Sequence, residues 1–279
     1  MLTHENELDL YDILIVGAGP CGLAMGIEAT RLGLSHLIVE KGTVTESIRR
    51  YPKRMRFFST AENIEIGGIP FAISDVKAGR NDALQYYRKT AGYFGLNFKL
   101  FTEVIQVKKQ ADGTFTIHTT QETVTYRARK VVFATGYFDV ARKLGIPGEE
   151  LPHVSHYYDE PFGYSFTNVV IVGAANSAVE AALELYRHDA HVTIVHRGPD
   201  FRPTVKYWLV PDVKNRVKEG KIATHFQANI KAIERGRVLI EQAETGVQTW
   251  IPADFVLLLV GYIPDEHLLR KSGILLNEE

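Results

Sequence analysis

Short apolar runs that end in glycine-rich stretches mark this chain, and the most regular pattern of this kind occurs twice. The first run is DILIV at residues 12–16, followed by GAGPCG at residues 17–22. The second run is NVVIV at residues 168–172, followed by GAANSA at residues 173–178. A short apolar run bounded by glycine is typical of a buried parallel strand. Each pattern therefore predicts a strand, a tight turn and a helix.

The first glycine turn has the residue types that a pyrophosphate-binding turn needs. Gly17 permits a sharp turn, Gly19 lets phosphates approach the backbone N–H groups of the helix N-terminus, and Gly22 lets the helix pack on the strand. The next predicted strand, residues 36–40, ends at Glu40, which lies 23 residues after Gly17. An acid at this place accepts hydrogen bonds from a ribose 2′-OH. The alternative is an ordinary strand-to-helix turn whose glycines occur by chance.

The second turn repeats this spacing with a different residue at the ribose position. His196 lies 23 residues after Gly173, and Arg197 follows it. A carboxylate there would repel a 2′-phosphate, whereas a guanidinium binds one. The first site is therefore expected to prefer a free ribose, as in FAD, and the second to prefer NADPH over NADH, with Arg202 as a further contact. The alternative is that Arg197 is a solvated charge at a strand end. Ala175 replaces a usual glycine, and its methyl group is expected to crowd the pyrophosphate slightly.

The remaining patterns predict a second domain inserted into the first. A helix is expected at residues 81–94, with Asn81 or Asp82 as its N-cap, and Asp112-Gly113 is expected to form a hairpin turn. The other predicted strands are residues 98–107, 114–120, 123–127, 130–136 and 254–262. The last two end in the similar sequences ATGY and LVGY, which predicts two crossings between the domains.

The expected fold is α/β, with two Rossmann-like dinucleotide-binding domains, each of three layers with a parallel sheet and a β-meander. The FAD-binding domain is expected to comprise residues 1–139 and 264–279. The NADPH-binding domain, residues 140–263, is inserted into it.

Composition narrows the class of protein. The 279 residues are 45% hydrophobic and 23% charged, as in globular proteins, and the net charge of −1 gives no sign of binding to nucleic acid or an anionic membrane. Residues 1–12 lack the pattern of a secretory signal, and the apolar run 255–260 is too short to span a bilayer. One cysteine excludes an internal disulfide and suits a reducing cytoplasm. The pairs His153/His156 and His188/His191 lack metal-ligand partners, so no metal site is expected.

Four motifs carry a resemblance to a known family over essentially the whole chain. They are GAGPCGL at residues 17–23, FFST at 57–60, ATGY at 134–137 and NSAVEAA at 176–182. With these motifs the chain resembles the two-dinucleotide flavoprotein oxidoreductases of the thioredoxin-reductase-like type, and among them the YpdA-type bacillithiol disulfide reductases. The resemblance implies FAD on the first unit, NADPH on the second, and hydride transfer between them. It also implies that the reduced flavin reduces a low-molecular-weight thiol disulfide.

The spacing and the resemblance together give a set of expected dinucleotide contacts. For residues 57–60 the alternative is a core loop, and Val104 is expected to offer backbone contacts to adenine on family position alone. The expected contacts are Gly17, Gly19, Pro20, Gly22, Glu40, Lys41, Phe58, Ser59, Thr60, Val104, Ala134, Thr135, Gly136, Gly173, Ala175, Asn176, Ser177, His196, Arg197, Arg202 and Gly261.

Two departures from the family pattern bear on function. Thioredoxin reductases have a Cys-x-x-Cys pair in the nicotinamide domain, and its absence here excludes a dithiol relay to thioredoxin. The family also continues to a last flavin-domain strand and helix, whereas this sequence stops at Glu279. Either the sequence is a fragment or that edge of the flavin site is missing, so weaker FAD binding is expected.

Cys21 is the candidate for chemistry beyond hydride transfer. It lies in the first turn of a predicted helix, where the helix dipole favours a thiolate, and the family has a cysteine at the matching place. Such a thiolate can attack a disulfide and form a mixed disulfide. A pyrophosphate at the same helix end opposes the thiolate, and the alternative is a small cysteine chosen for packing.

Three functions are compatible with these features. The first is an NADPH-dependent flavoprotein disulfide reductase that acts through Cys21, in the cytoplasm and as a homo-oligomer. The second is a flavin-dependent monooxygenase, which the same fold permits. The third is a non-catalytic sensor that binds flavin or NADPH.

Overall fold

A computed structural model describes residues 10–121 and 125–276. The chain divides into two compact units. Unit 1 contains the residues up to Tyr51, then Arg56–Val140, then those from Pro264 onward. Unit 2 contains Pro52–Met55 and Ala141–Ile263. No helix within the described ranges is long and apolar enough to cross a membrane.

Unit 1 is built on a six-stranded sheet with the order β3-β2-β1-β6-β5-β4. Its strands are β1 (Leu10–Val16), β2 (His36–Val39), β3 (Phe98–Lys99), β4 (Val104–Lys109), β5 (Phe115–Thr119) and β6 (Thr125–Phe133). Strands β3, β2, β1 and β6 are parallel, whereas β6, β5 and β4 form an antiparallel meander. The helices are α1 (Pro20–Arg31), α2 (Glu46–Arg49), α3 (Arg80–Tyr93) and a 3-10 turn at Ala61–Ile64.

The side chains on both faces of β1 are apolar because helices cover one face and the meander covers the other. Ile13 and Ile15 pack with residues of α1 and α3, whereas Leu14 and Val16 pack with residues of the meander such as Ile117. Helices, parallel sheet and meander therefore form three layers, which is why an uninterrupted apolar run precedes the glycine turn.

Unit 2 repeats this plan with a five-stranded parallel sheet of order β11-β10-β9-β15-β8 and a separate β12-β13-β14 meander. Its strands are β8 (Val154–Ser155), β9 (Asn168–Val172), β10 (His191–His196), β11 (Ile222–Phe226), β12 (Ala228–Glu234), β13 (Gly236–Gln242), β14 (Gln248–Ala253) and β15 (Phe255–Leu258). Its helices are α4 (Asn176–Tyr186), α5 (Val210–Lys218) and a 3-10 turn at Phe162–Tyr164. Val169 and Ile171 pack against α4, and Val170 and Val172 pack against the meander.

Three short elements complete the chain. The strands β7 (Val140–Ala141) and β16 (Tyr262–Ile263) pair with each other where the chain passes from one unit to the other. Helix α6 (His267–Lys271) belongs to unit 1, and its Leu268 packs against the core formed by β1, β2 and the meander.

The α/β class with two dinucleotide-binding folds is confirmed, but several predicted elements were wrong in detail. Helix α3 begins at Arg80 with Gly79 as its N-cap, and Asp82 instead accepts the Gly79 N–H at 2.9 Å. The predicted strand 98–107 is two strands, β3 and β4, at opposite edges of the sheet. The predicted strands 123–127 and 130–136 are one strand, β6, and residues 122–124 lie outside the described residues. The predicted strand 254–262 is divided between β15 and β16.

Candidate functional site

The first glycine turn connects β1 to α1, and two of its glycines are required by the fold itself. Gly17 has a φ of +107°, and a Cβ there would lie 2.5 Å from the carbonyl oxygen of Ala134. A Cβ on Gly22 would lie 2.0 Å from the carbonyl oxygen of Gly17. These glycines let α1 approach the β1 and β6 strand ends closely, so the N-terminus of α1 is held at the carboxyl edge of the sheet.

Gly19 is different, because no neighbouring residue that the structure describes requires a glycine there. It is the N-cap of α1, with an ordinary φ of −72°, and no atom of the described residues lies within 4 Å of where its Cβ would be. The backbone N–H groups at the start of α1 therefore face open space, which is the cradle that a pyrophosphate fits. Pro20 is the first residue of the helix, where the missing N–H costs nothing.

Glu40 follows β2 and fastens the end of that strand to the turn. Its carboxylate is buried, with one oxygen accepting the N–H of Ala18 at 2.8 Å and the other accepting the N–H of Gly42 at 2.7 Å. A carboxylate has about four acceptor positions, so two are left for a ribose diol. The group is thus fixed in place and keeps acceptor capacity at the predicted ribose position.

Lys41, the next predicted contact, is held by an ion pair. Its Nζ lies 2.8 Å from a carboxylate oxygen of Asp139, whose other oxygen lies 2.7 Å from Arg50. Burial lowers the pKa of Lys41, but the hydrogen bond and charge of Asp139 outweigh it, so the pKa lies above its ordinary value. No sequence pattern indicates a role for Asp139, because 98 residues separate it from Lys41 along the chain.

The other predicted contacts of unit 1 lie in two loops and one strand. Phe58 is exposed, and Ser59 and Thr60 are half-buried, with Thr60 as the N-cap of the 3-10 turn. Val104 is buried at the start of β4. After β6, the N–H of Ala134 bonds to Val16 at 2.8 Å, and Thr135 and Gly136 follow it, the latter with a φ of +68°. Ala134 therefore lies beside the glycine turn.

Cys21 is the second residue of α1, between Pro20 and Gly22, and it is exposed. An exposed sulfur in the first helical turn, next to the open space at Gly19, can be reached by a ligand from solvent. The exposure disagrees with the alternative of a buried packing cysteine.

The second glycine turn connects β9 to α4 in the same way. Gly173 has a φ of +130°, and a Cβ there would lie 2.4 Å from the carbonyl oxygen of Leu259. Ala175 is the N-cap, with a φ of −97° that alanine adopts without strain. Asn176 and Ser177 begin the helix, and Ala178 takes the place that Gly22 has in unit 1. Gly261, with a φ of +101°, is exposed after β15, as Gly136 is after β6.

A loop that follows β10 is fastened to this second turn by three hydrogen bonds. The N–H of Arg202 donates to Ala174 at 2.9 Å, the amide of Asn176 donates to Thr204 at 3.0 Å, and the Asn176 amide oxygen accepts the N–H of Lys206 at 2.7 Å. The Asn176 side chain therefore holds the loop that carries Arg202. No local sequence pattern indicates this role.

The end of β10 forms a cationic edge. His196 is half-buried, with its Nε2 2.7 Å from where a Cβ of Gly198 would be. Burial, and then the charges of Arg197 and Arg202, hold the pKa of His196 below its ordinary value, so the imidazole is neutral at pH 7. Both arginines are exposed, and neither forms an ion pair with any residue that the structure describes. Two guanidinium groups are therefore free to bind a phosphate.

A metal centre has no support in the parts of the chain that the structure covers, where no group of three or more His, Cys, Asp or Glu side chains could hold an ion.

Comparison with known proteins agrees with this geometry. The family model described as pyridine nucleotide-disulphide oxidoreductase matches residues 14–279. Bacilliredoxin reductase Bdr of Bacillus subtilis (strain 168) is 38% identical over 266 residues, which cover 95% of this chain and 81% of that protein. The structure of the bacillithiol disulfide reductase Bdr (YpdA) from Staphylococcus aureus superposes with a TM-score of 0.94 at 39% identity, covering 98% of this chain and 83% of that one.

A flavin-containing monooxygenase from Stenotrophomonas maltophilia is more distant. Its structure has a TM-score of 0.73 at 20% identity, covering 94% of this chain and 81% of that one, so the likeness concerns the fold alone. The extent of the family match and the 38% identity to a reductase decide the class of protein. This chain belongs to the pyridine nucleotide-disulphide oxidoreductase family and is an oxidoreductase that uses a flavin and a nicotinamide cofactor.

Proposed function

We propose that this protein is an NADPH-dependent, FAD-containing reductase of a low-molecular-weight thiol disulfide of the bacillithiol disulfide type. The observation that carries the cofactor assignment is the contrast between two equivalent strand ends. Unit 1 presents a buried carboxylate, Glu40, whereas unit 2 presents the exposed cations Arg197 and Arg202 at the matching edge. A carboxylate suits the free ribose of FAD, and guanidinium groups suit the 2′-phosphate of NADPH. FAD is therefore assigned to unit 1 and NADPH to unit 2.

The protein's own contribution to hydride transfer is to bind and orient the two dinucleotides. The N-termini of α1 and α4 offer unpaired backbone N–H groups to the two pyrophosphates, beside Gly19 and Ala175. When bound, the flavin supplies a two-electron acceptor for the hydride of NADPH.

Cys21 is assigned the thiol chemistry because its sulfur is exposed and lies in the first turn of α1. Its thiolate attacks one sulfur of the substrate RSSR, so a Cys21–S–S–R bond forms and one RS⁻ leaves and takes up a proton. Two electrons and one proton, which a reduced flavin would supply when bound, would break this mixed disulfide, restoring the Cys21 thiolate and releasing the second RSH. The sum is NADPH + H⁺ + RSSR → NADP⁺ + 2 RSH.

The choice of substrate rests on two relatives. The S. aureus relative carries bacillithiol disulfide in its name, and the B. subtilis relative is named as a bacilliredoxin reductase. A lone cysteine also favours a small disulfide, because no second thiol of this chain is available to relay electrons to a protein. A cytoplasmic location and a homo-oligomeric state complete the proposal, and a monomer mass in light scattering would refute the latter.

The first experiment is an anaerobic titration of the protein, supplemented with FAD, with NADPH and separately with NADH. Bleaching of bound flavin by NADPH at far lower concentration than by NADH supports the cofactor assignment. Bound flavin that NADPH does not reduce would instead support a sensor, and a stable C4a-peroxyflavin absorbance on admitting oxygen would support a monooxygenase.

The second experiment tests the thiol step with Cys21→Ser. The variant is expected to keep flavin reduction by NADPH and to lose turnover of bacillithiol disulfide, because the attacking sulfur is absent. Unchanged turnover of the disulfide would remove Cys21 from the mechanism.

A further inference from the structure

The two units share one unusual backbone feature, located just after β3 in unit 1 and just after β11 in unit 2. Phe101 follows β3 with a φ of +52°, and Gln227 follows β11 with a φ of +51°. The N–H of Phe101 donates to the carbonyl of Gly42 at 3.2 Å, and the N–H of Gln227 donates to the carbonyl of Gly198 at 2.9 Å. Gly42 and Gly198 each lie 25 residues after the first glycine of their unit, so Phe101 and Gln227 occupy equivalent positions.

The backbone conformation of Phe101 is strained, and the exposed ring contributes little to the stability of the fold. A left-handed backbone is uncommon for a bulky residue and costs on the order of 1 kcal/mol or more. The residue is 68% exposed, so the ring contributes little to the core. Strained residues cluster at ligand-binding sites, and an exposed ring beside such a site can be contacted by a ligand.

Phe101 lies beside the predicted ribose position of unit 1. Its own N–H bonds to Gly42, and the next residue, Thr102, donates its N–H to the carbonyl of Glu40 at 2.9 Å. The backbone of Phe101 is thus held next to the segment whose carboxylate faces the ribose. In an FAD molecule the group beyond that ribose is the planar, apolar face of adenine.

Comparison with unit 2 explains why unit 1 needs an aromatic ring at the adenine position whereas unit 2 does not. The residue after the ribose position is Arg197 in unit 2, whose planar guanidinium can stack on adenine. The equivalent residue in unit 1 is Lys41, which is not planar and is paired with Asp139 at 2.8 Å. Phe101 supplies the planar group that Lys41 does not, and Gln227 in unit 2 leaves that role to Arg197.

We propose that the ring of Phe101 packs on the adenine of FAD and is a determinant of affinity for FAD over flavin mononucleotide, which has no adenine. This inference rests on the assignment of FAD to unit 1. It adds a ligand-binding residue that the motifs of the sequence did not indicate.

The test compares binding of FAD and of flavin mononucleotide to flavin-free protein, followed by quenching of flavin fluorescence. Phe101→Leu removes the ring, and Phe101→Gly removes both the ring and the backbone strain, so that at least one variant folds. Phe166→Leu is the matched control, because Phe166 is also exposed (78%) and left-handed (φ +62°) but precedes β9, at the opposite end of the strands of unit 2.

Both Phe101 variants are expected to weaken FAD binding about tenfold, in line with the loss of one stacked base. Phe166→Leu is expected to change it less than about twofold, within ordinary scatter for a surface substitution. Binding of flavin mononucleotide should be the same in all variants. Equal FAD affinity in the Phe101 and Phe166 variants would overturn the inference, as would an equal loss for both flavins.

The outcomes also separate this inference from the proposed function. FAD that binds to the wild type and is reduced by NADPH, with no effect of the Phe101 variants, overturns the inference alone. FAD that binds and depends on Phe101 but is not reduced by NADPH overturns the proposed reductase and supports the role of Phe101. A wild type that binds no FAD overturns both.

Discussion

Glu40 and Ala18 are joined by a hydrogen bond of 2.8 Å from the backbone N–H of Ala18 to the Glu40 carboxylate. This bond fastens the end of β2 to the glycine turn, so the acid at the proposed ribose position also supports the fold of unit 1. In unit 2 the equivalent residue is His196, and the turn is held instead through Asn176 and the loop that carries Arg202. Each unit therefore stabilises its glycine turn with a side chain that is also among the proposed dinucleotide contacts.

Glu40→Ala is expected to lower both stability and FAD affinity. The variant leaves the N–H groups of Ala18 and Gly42 without their acceptor in a buried place, which costs about 1–3 kcal/mol per group. Glu28→Ala is the control, because Glu28 forms only an exposed pair with Arg31 and should change the free energy of unfolding by less than about 1 kcal/mol. Thermal unfolding with and without FAD measures both effects, and equal stability of the two variants would contradict the structural role of Glu40.

Substitutions of two glycines in the first turn are expected to separate an effect on protein stability from an effect on FAD binding. Gly22→Ala places a methyl group 2.0 Å from the Gly17 carbonyl and should destabilise the protein by about 1–3 kcal/mol or prevent folding. The methyl group of Gly19→Ala meets no atom in the described part of the chain, so the variant should keep stability within about 0.5 kcal/mol of the wild type while FAD binding weakens several-fold. Urea unfolding and FAD titration give the two readouts.

Gly92→Ala provides the control for the glycine series. Gly92 lies within α3, and no described residue outside its own helix turn has an atom within 4 Å of its Cβ position, so alanine there should stabilise the helix by about 0.5–1 kcal/mol. A Gly22→Ala protein as stable as Gly92→Ala would show that α1 can move away from the strand without cost.

Arg197→Ala is expected to reduce the preference for NADPH. Loss of a charge-assisted contact to the 2′-phosphate costs about 1.5–3 kcal/mol, which corresponds to a rise of about 10- to 150-fold in KM for NADPH. KM for NADH should change little, because NADH has no 2′-phosphate. Arg235→Ala removes an exposed charge in the turn between β12 and β13 and serves as the control. Steady-state kinetics measured separately with NADPH and NADH test this prediction. An equal rise in KM for the two nucleotides would argue against recognition of the 2′-phosphate.

The sequence predicts those parts of the fold that depend on patterns between residues close together along the chain. The two strand-turn-helix units and the placement of Glu40 and His196 follow from spacings of 23 residues within one supersecondary motif. The division of residues 98–107 into two strands was missed because the left-handed turn at Phe101 has no glycine or proline to mark it in the sequence. The contacts of Asn176 with Thr204 and Lys206 were missed because they join residues 28 and 30 positions apart, which only the tertiary fold brings together.

His156 is expected to make stability depend on pH in the range below neutrality. Its ring is largely buried, with a side-chain exposure of 12%, and neither ring nitrogen has a hydrogen-bond partner among the described residues. Burial is the largest influence and lowers the pKa of His156, although Glu149, with a carboxylate oxygen 3.5 Å from Nε2, acts in the opposite direction. The folded protein thus holds this imidazole neutral at a pH at which the unfolded chain protonates it.

The sign of the effect follows from proton linkage. Where the unfolded state binds more protons, stability falls as pH falls, so the loss begins near the ordinary histidine pKa of about 6.5 and is complete below the lowered folded pKa. His156→Gln should therefore flatten the decline in Tm between pH 7.5 and pH 5.5, whereas His191→Gln, at an exposed position, should retain the wild-type slope. The depressed pKa values of His196 and His225 act equally in all three proteins, so the difference between slopes isolates His156. Calorimetric scans at four pH values suffice, and a His156→Gln slope as steep as the wild type would show that this buried ring does not control the acid sensitivity of unit 2.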